Sequence, residues 1–98
     1  MATQEETDYV THCWHDAFNT TATPSDWQML VWANRHPLVI IEKALQCTGR
    51  KNATMQGRGE DFTYMDKVRY ASATMRNLQQ QAEQMAQEAA DYEAAERE

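Results

Sequence analysis

One seam in the second half of the chain constrains the fold most. Tyr64, Val68, Ala71, Met75, Leu78, Ala82, Met85, Ala89 and Tyr92 follow one another in alternating steps of four and three. That spacing keeps apolar groups on one helical face and lasts about four heptads. A helix over 61–92 would be roughly 48 Å long at about 1.5 Å per residue. The chain has 98 residues, which suits one domain rather than two. A domain of this size buries roughly 65% of the surface its unfolded chain exposes. The helix therefore outruns the body it packs on, and its distal part leaves the bundle, meets a partner or frays.

A parallel dimer through this seam is poorly specified. With Tyr64 at a d position, the g positions are Lys67, Thr74, Gln81 and Glu88, and the e positions are Ser72, Gln79, Ala86 and Glu93. No g–e′ pair attracts, and Glu88 faces Glu93. Antiparallel pairing, or packing on its own bundle, fits better. The chain divides into a helical bundle over 1–78 and an acidic extension of the last helix over 79–98. The extension leaves homo-oligomerisation through the C-terminal helix open, and its glutamates at the negative end of the dipole favour fraying.

Three shorter helices precede the long one. Over 8–19, Val10, Cys13, Trp14, Ala17 and Phe18 stand at i, i+3, i+4, i+7 and i+8, an amphipathic stripe. In "TATPSDW", Thr23 suits a cap, Pro24 a first helical position, and Asp26 the positive end of the dipole. The second helix spans about 24–35 with Trp27, Leu30 and Val31 as its stripe. Met29 and Trp32 lie off that stripe. Either the helix is central and buries them, or they form an exposed patch for a protein partner. Pro37 opens a third helix, "PLVIIEKALQCTG", with Gly49 as its C′ residue. Its apolar groups lie on all sides, which makes it central. Residues 50–61, "RKNATMQGRGED", read as a loop. The fold class is all-α: a compact bundle of about four helices with a long C-terminal helix.

Charge is unevenly spread over a net of −6. Residues 1–49 carry two basic and six acidic groups, 50–76 six basic and three acidic, and 77–98 one basic and six acidic. Only the middle third shows the cationic excess that phosphate contact needs. Measured from Tyr64 at about 100° per residue, Ser72 lies near 80°, Arg76 near 120° and Arg69 near 140°, so they share a flank; Lys67, near 300°, lies on the other side. The candidate nucleic-acid-binding residues are Arg50, Lys51 and Arg58 of the loop with Arg69 and Arg76 of the helix. The competing reading is a solvated flank with snorkelling stems.

The order of features over residues 9–76 resembles the C-terminal domain of DnaD-type replication initiation proteins. "CWHDAF" closes a first helix; "TPSDWQMLVWA", "PLVIIEKAL", a loop and "FTYMDKV" follow. The resemblance implies a small all-helical domain associated with primosome assembly and DNA binding. In that family the last core helix carries a tyrosine, an aliphatic residue four on, and a tryptophan four further. Tyr64 and Val68 match; Ser72 stands where the tryptophan would be, so no aromatic platform is supplied there.

No catalytic constellation emerges. His12, Cys13, His15 and Asp16 are close in sequence, but Cys13 lies on the apolar stripe, about 100° from His12, so the set does not converge on one metal. His36 before Pro37 reads as a helix cap. "GRG" at 57–59 lacks the strand, the further glycines and the Lys-Ser/Thr of a phosphate loop. No enzyme, metal or cofactor is expected. Two cysteines make no disulfide framework, and no leader-like or membrane-spanning apolar run is present, which predicts a cytoplasmic chain with free thiols. Two functions remain: a DnaD-like, replication-associated interaction module with weak DNA binding, or a small acidic phage or mobile-element protein that modulates a host machine without touching DNA.

Overall fold

The computed structural model describes residues 2–20 and 25–96, with side chains through residue 94. It contains four helices and, among those residues, no strand: α1 Gln4–Phe18, α2 Asp26–Arg35, α3 Leu38–Gly57 and α4 Tyr64–Glu96. The cap and first-turn roles expected of Thr23 and Pro24 lie outside the described residues.

The starts of α1, α3 and α4 have local causes. α1 begins six residues before the apolar stripe because Thr3 and Glu6 form a capping box: the Glu6 N–H donates to Thr3 Oγ1 at 3.2 Å, and the Thr3 N–H donates to Glu6 Oε1 at 3.1 Å. The same device starts α4 at Tyr64 rather than at Asp61. There Thr63 and Asp66 exchange backbone-to-side-chain bonds, both at 3.2 Å. Pro37 is the N-cap of α3, with extended backbone, one position earlier than a first-turn proline.

α3 does not stop at Gly49. It runs on to Gly57, so the segment read as a loop from Arg50 onward is mostly helix. The buried stripe of α3 is Ile41, Ala44, Leu45, Thr48 and Asn52. Its last two members are polar, and Thr48 satisfies its hydroxyl on the Ala44 carbonyl at 2.8 Å. Gly49 serves packing instead. A Cβ there would strike the carbonyl oxygen of Ala17 on α1 and lie 3.1 Å from its carbonyl carbon. The true C′ glycine is Gly59, at φ 73°. The Glu60 N–H donates to Met55 O at 2.9 Å and the Gly59 N–H to Gln56 O at 3.0 Å, which is the paired bonding of a Schellman motif.

α3 is the central helix and touches the other three. The core joins Val10 and Trp14 of α1, Met29, Trp32 and Ala33 of α2, Ile41, Ala44 and Leu45 of α3, and Ala71 and Met75 of α4. α3 is nonetheless not apolar-buried all round, since Val39 is 54% exposed.

α2 presents the opposite face to the one its sequence suggests. Met29, Trp32 and Ala33 are buried, while Trp27 is 69% exposed. Trp32 sits in an aromatic cluster, its ring centroid 6.1 Å from that of Trp14, which in turn lies 4.5 Å from Phe18 and 5.5 Å from Tyr64. Met29 and Trp32 are therefore core residues, and the exposed partner patch expected of them does not exist.

α4 has 33 residues, about 50 Å of helix. Ala71 and Met75 are buried, and Val68 and Leu78 pack against the core. From residue 80 to residue 94 every side chain is exposed. The radius of gyration, 16.2 Å, exceeds the roughly 13 Å of a compact chain of this length, because this helix projects past the bundle. No described helix is long and apolar enough to cross a membrane.

Candidate functional site

One candidate site is a small groove of about 110 Å³ between α2 and α4. Gln28, Val31, Trp32, Arg35 and His36 line it from the α2 side and Ser72 and Arg76 from α4; Trp32 is buried, and Arg35 and Arg76 are exposed. The turn of chain after α2 sets its end. The His36 N–H caps α2 on Trp32 O at 3.0 Å, which agrees with the capping role expected of this residue, and His36 Nδ1 pairs with Gln79 Oε1 of α4.

Ser72 has a clear task. Its hydroxyl accepts the indole N–H of Trp32 at 3.0 Å, satisfying a polar group that would otherwise be stranded in the core. The aromatic ring beside position 72 thus comes from α2 rather than from α4. Ser72 is small because Trp32 occupies the space beside it.

Arg35 and Arg76 are exposed. The one ion pair found among the described residues is His12–Asp16 at 3.2 Å on α1, so neither groove arginine is held by a carboxylate. Two guanidinium groups without a carboxylate partner suit an anionic ligand.

The cations singled out in the sequence do not all join this groove. Arg76 does. Arg50 lies in a separate groove between α1 and α3, beside Asp16, Gln46 and Gly49, and its Nη2 contacts Cys47 Sγ at 3.2 Å. Lys51 is exposed on α3, Arg58 caps the end of that helix, and Arg69 is exposed on α4. Arg50 and Lys51 are on a helix, not a loop that could fold toward Arg69 and Arg76. Sequence reasoning missed Arg35, which comes from the acidic first half of the chain. Its signal was positional: Arg35 is three residues beyond Trp32, on the same side of α2.

A second polar cluster joins α1 to α3. Tyr9 donates its hydroxyl to Glu42 Oε2 at 2.9 Å. That bond, with burial and the nearby negative charge, pushes the Tyr9 phenol up to about 12 from 10.0. The neutral phenol is favoured, so the contact stabilises the fold fully below pH 10 and is lost as pH rises through about 12. An ultraviolet titration of the four tyrosines should show Tyr9 ionising last. Glu42→Gln should bring that final step down toward the ordinary range; an unchanged curve would break the assignment. Burial and the charge of Glu42 also raise the Cys13 thiol, and both cysteines are free. No group of three or more metal-ligand side chains is assembled among the described residues.

No family model matches the chain, and neither the curated proteins nor the solved structures include a match to it; the DnaD-type likeness is carried by the quoted residues alone.

Proposed function

We propose that the chain is a non-enzymatic helical interaction module that works in DNA replication or nucleoprotein assembly, in the manner its DnaD-type likeness implies. The observation that supports this reading is α4. Its first half is a core element, and residues 80–94 form a helical continuation exposed on every side. A helix anchored in a bundle and bare beyond it is suited to hold another macromolecule.

Weak DNA contact is part of the proposal. Arg69 and Arg76 share the outer flank of α4, and Arg35 adds a third guanidinium beside Arg76. The test is single-stranded DNA binding followed by fluorescence anisotropy at two salt concentrations. The log–log salt slope should be about −0.7 per phosphate contacted. Arg69→Ala with Arg76→Ala should flatten it. Lack of binding at low salt would remove the DNA contact.

The second reading is an acidic protein that modulates a host machine without touching DNA. Glu83, Glu88, Asp91 and Glu93 stand on the exposed helix with no cation among residues 80–94, and such a surface suits a basic target.

A further inference from the structure

We infer that the outer faces of α2 and α4 form a path for single-stranded DNA, with the exposed indole of Trp27 as its base-stacking platform. The path rests on the DNA contact proposed above and adds where a base is held.

Hydrogen bonds set the two helices in register. The Ser25 N–H donates to the Tyr64 hydroxyl at 3.2 Å, the Trp32 indole N–H donates to Ser72 Oγ at 3.0 Å, and His36 Nδ1 pairs with Gln79 Oε1. α2 and α4 therefore run alongside each other in the same direction. That register puts Trp27 level with the turn from Met65 to Arg69, and Arg35 level with Arg76.

Helical angles place these groups on one outer surface. Val31 and Arg35 line the groove from α2. At about 100° per residue, Val31 lies about 40° outward from Arg35, and Trp27 about 40° outward from Val31. On α4, Met65, Arg69, Ser72 and Arg76 fall within about 60° of one another. Trp27 and Met65 are 69% and 56% exposed, and Arg35, Arg69 and Arg76 are exposed. None of these arginines has a carboxylate partner among the described residues. The acids of the two segments are turned aside. Asp26 lies about 100° from Trp27, on the side away from Val31, and Asp66 is bonded to Thr63 at the start of α4.

The surface thus has an exposed indole at one end and a pair of guanidiniums at the other, about 12 Å apart along α2. Guanidinium groups bind phosphates, and an indole face stacks any unpaired base. A duplex keeps its bases stacked inside and would use the arginines alone. A single strand uses both, with a base on Trp27, a phosphate at Arg69 and another between Arg35 and Arg76.

The test uses the full-length protein at low salt with three probes: a short oligothymidylate, an abasic strand of the same length, and polyglutamate. Trp14 and Trp32 are 4% and 2% exposed, so quenching of tryptophan fluorescence reports Trp27. Oligothymidylate should quench it. The abasic strand should bind about tenfold more weakly and leave the emission unchanged. Trp27→Ala should bind oligothymidylate about tenfold more weakly, with the salt slope unchanged, and should no longer tell the two strands apart. Trp27→Phe should recover most of the affinity. Trp27 is exposed, so circular dichroism should report a folded bundle in both variants. Arg35→Ala with Arg76→Ala should instead reduce the salt slope. Binding that keeps its salt slope but responds neither to base removal nor to Trp27→Ala would overturn the stacking and leave the DNA contact standing. Absence of any strand binding would overturn both. Polyglutamate that quenches Trp27 and displaces the strand would overturn the path in favour of an acidic peptide partner.

Discussion

Trp32→Asp should unfold the bundle. Trp32 is 2% exposed and its ring stands in the aromatic cluster with Trp14. Removing a buried tryptophan side chain costs about 3–5 kcal/mol, from lost transfer energy and the cavity left behind. The aspartate adds a carboxylate in an apolar site and leaves the Ser72 hydroxyl without the indole donor it now accepts from. A domain of this kind has about 5–15 kcal/mol of stability in all, so the variant should lose its cooperative thermal transition. Trp32→Phe keeps a ring but removes the N–H, and should melt cooperatively at a lower temperature. Circular dichroism melts of the two variants decide the matter. A wild-type melt for Trp32→Asp would mean that Trp32 is not a core residue.

Gly49→Ala should destabilise the protein even though alanine is the better helix former. In an open helix the exchange would gain about 1 kcal/mol. Here the new Cβ meets the Ala17 backbone, its carbonyl oxygen first. A backbone obstacle cannot swing aside as a side chain can, so α1 and α3 must move apart. Overpacking of this sort costs about 1–3 kcal/mol, and more when the obstacle is main chain. The net loss should be about 2 kcal/mol, lowering Tm by roughly 10 °C. Gly57→Ala is the control. It lies in the same helix with nothing within 4 Å of the added Cβ, so it should be neutral or slightly stabilising. A Gly49→Ala protein as stable as the wild type would show that the helices do not cross this closely.

The two residues also explain where sequence reading succeeds and where it fails. The stripe over Val10–Phe18 and the seam from Tyr64 to Leu78 are long enough that periodicity has one solution, and both appear as helices with those residues toward the core. α2 is only ten residues long, and two stripes fit it equally well. Trp27, Leu30 and Val31 satisfy the spacing; so do Met29, Trp32, Ala33 and His36, and the second set extends one step further. The choice rests on which ring fits against Trp14, a fact about α1. α3 hides its length for a related reason. Its buried face continues into Thr48 and Asn52, which carry no apolar signal, and a glycine that looks like a stop is a close helix contact. The groove was partly legible. Arg76 was on the expected flank, but Arg35 belongs to another helix and to an acidic stretch of chain, so charge counting along the sequence could not pair them.

By itself the sequence determined the class of the fold, its helix number and the length of α4, because these follow from periodicity, capping chemistry and chain length, which are local. The capping boxes at Thr3 and Thr63 belong to the same local code. Tertiary structure alone decided which face of α2 is buried, why Gly49 is glycine, and which cations share a groove. Each of those depends on what another helix places opposite, and in a small core a close-packed neighbour outweighs the preference of any single helix.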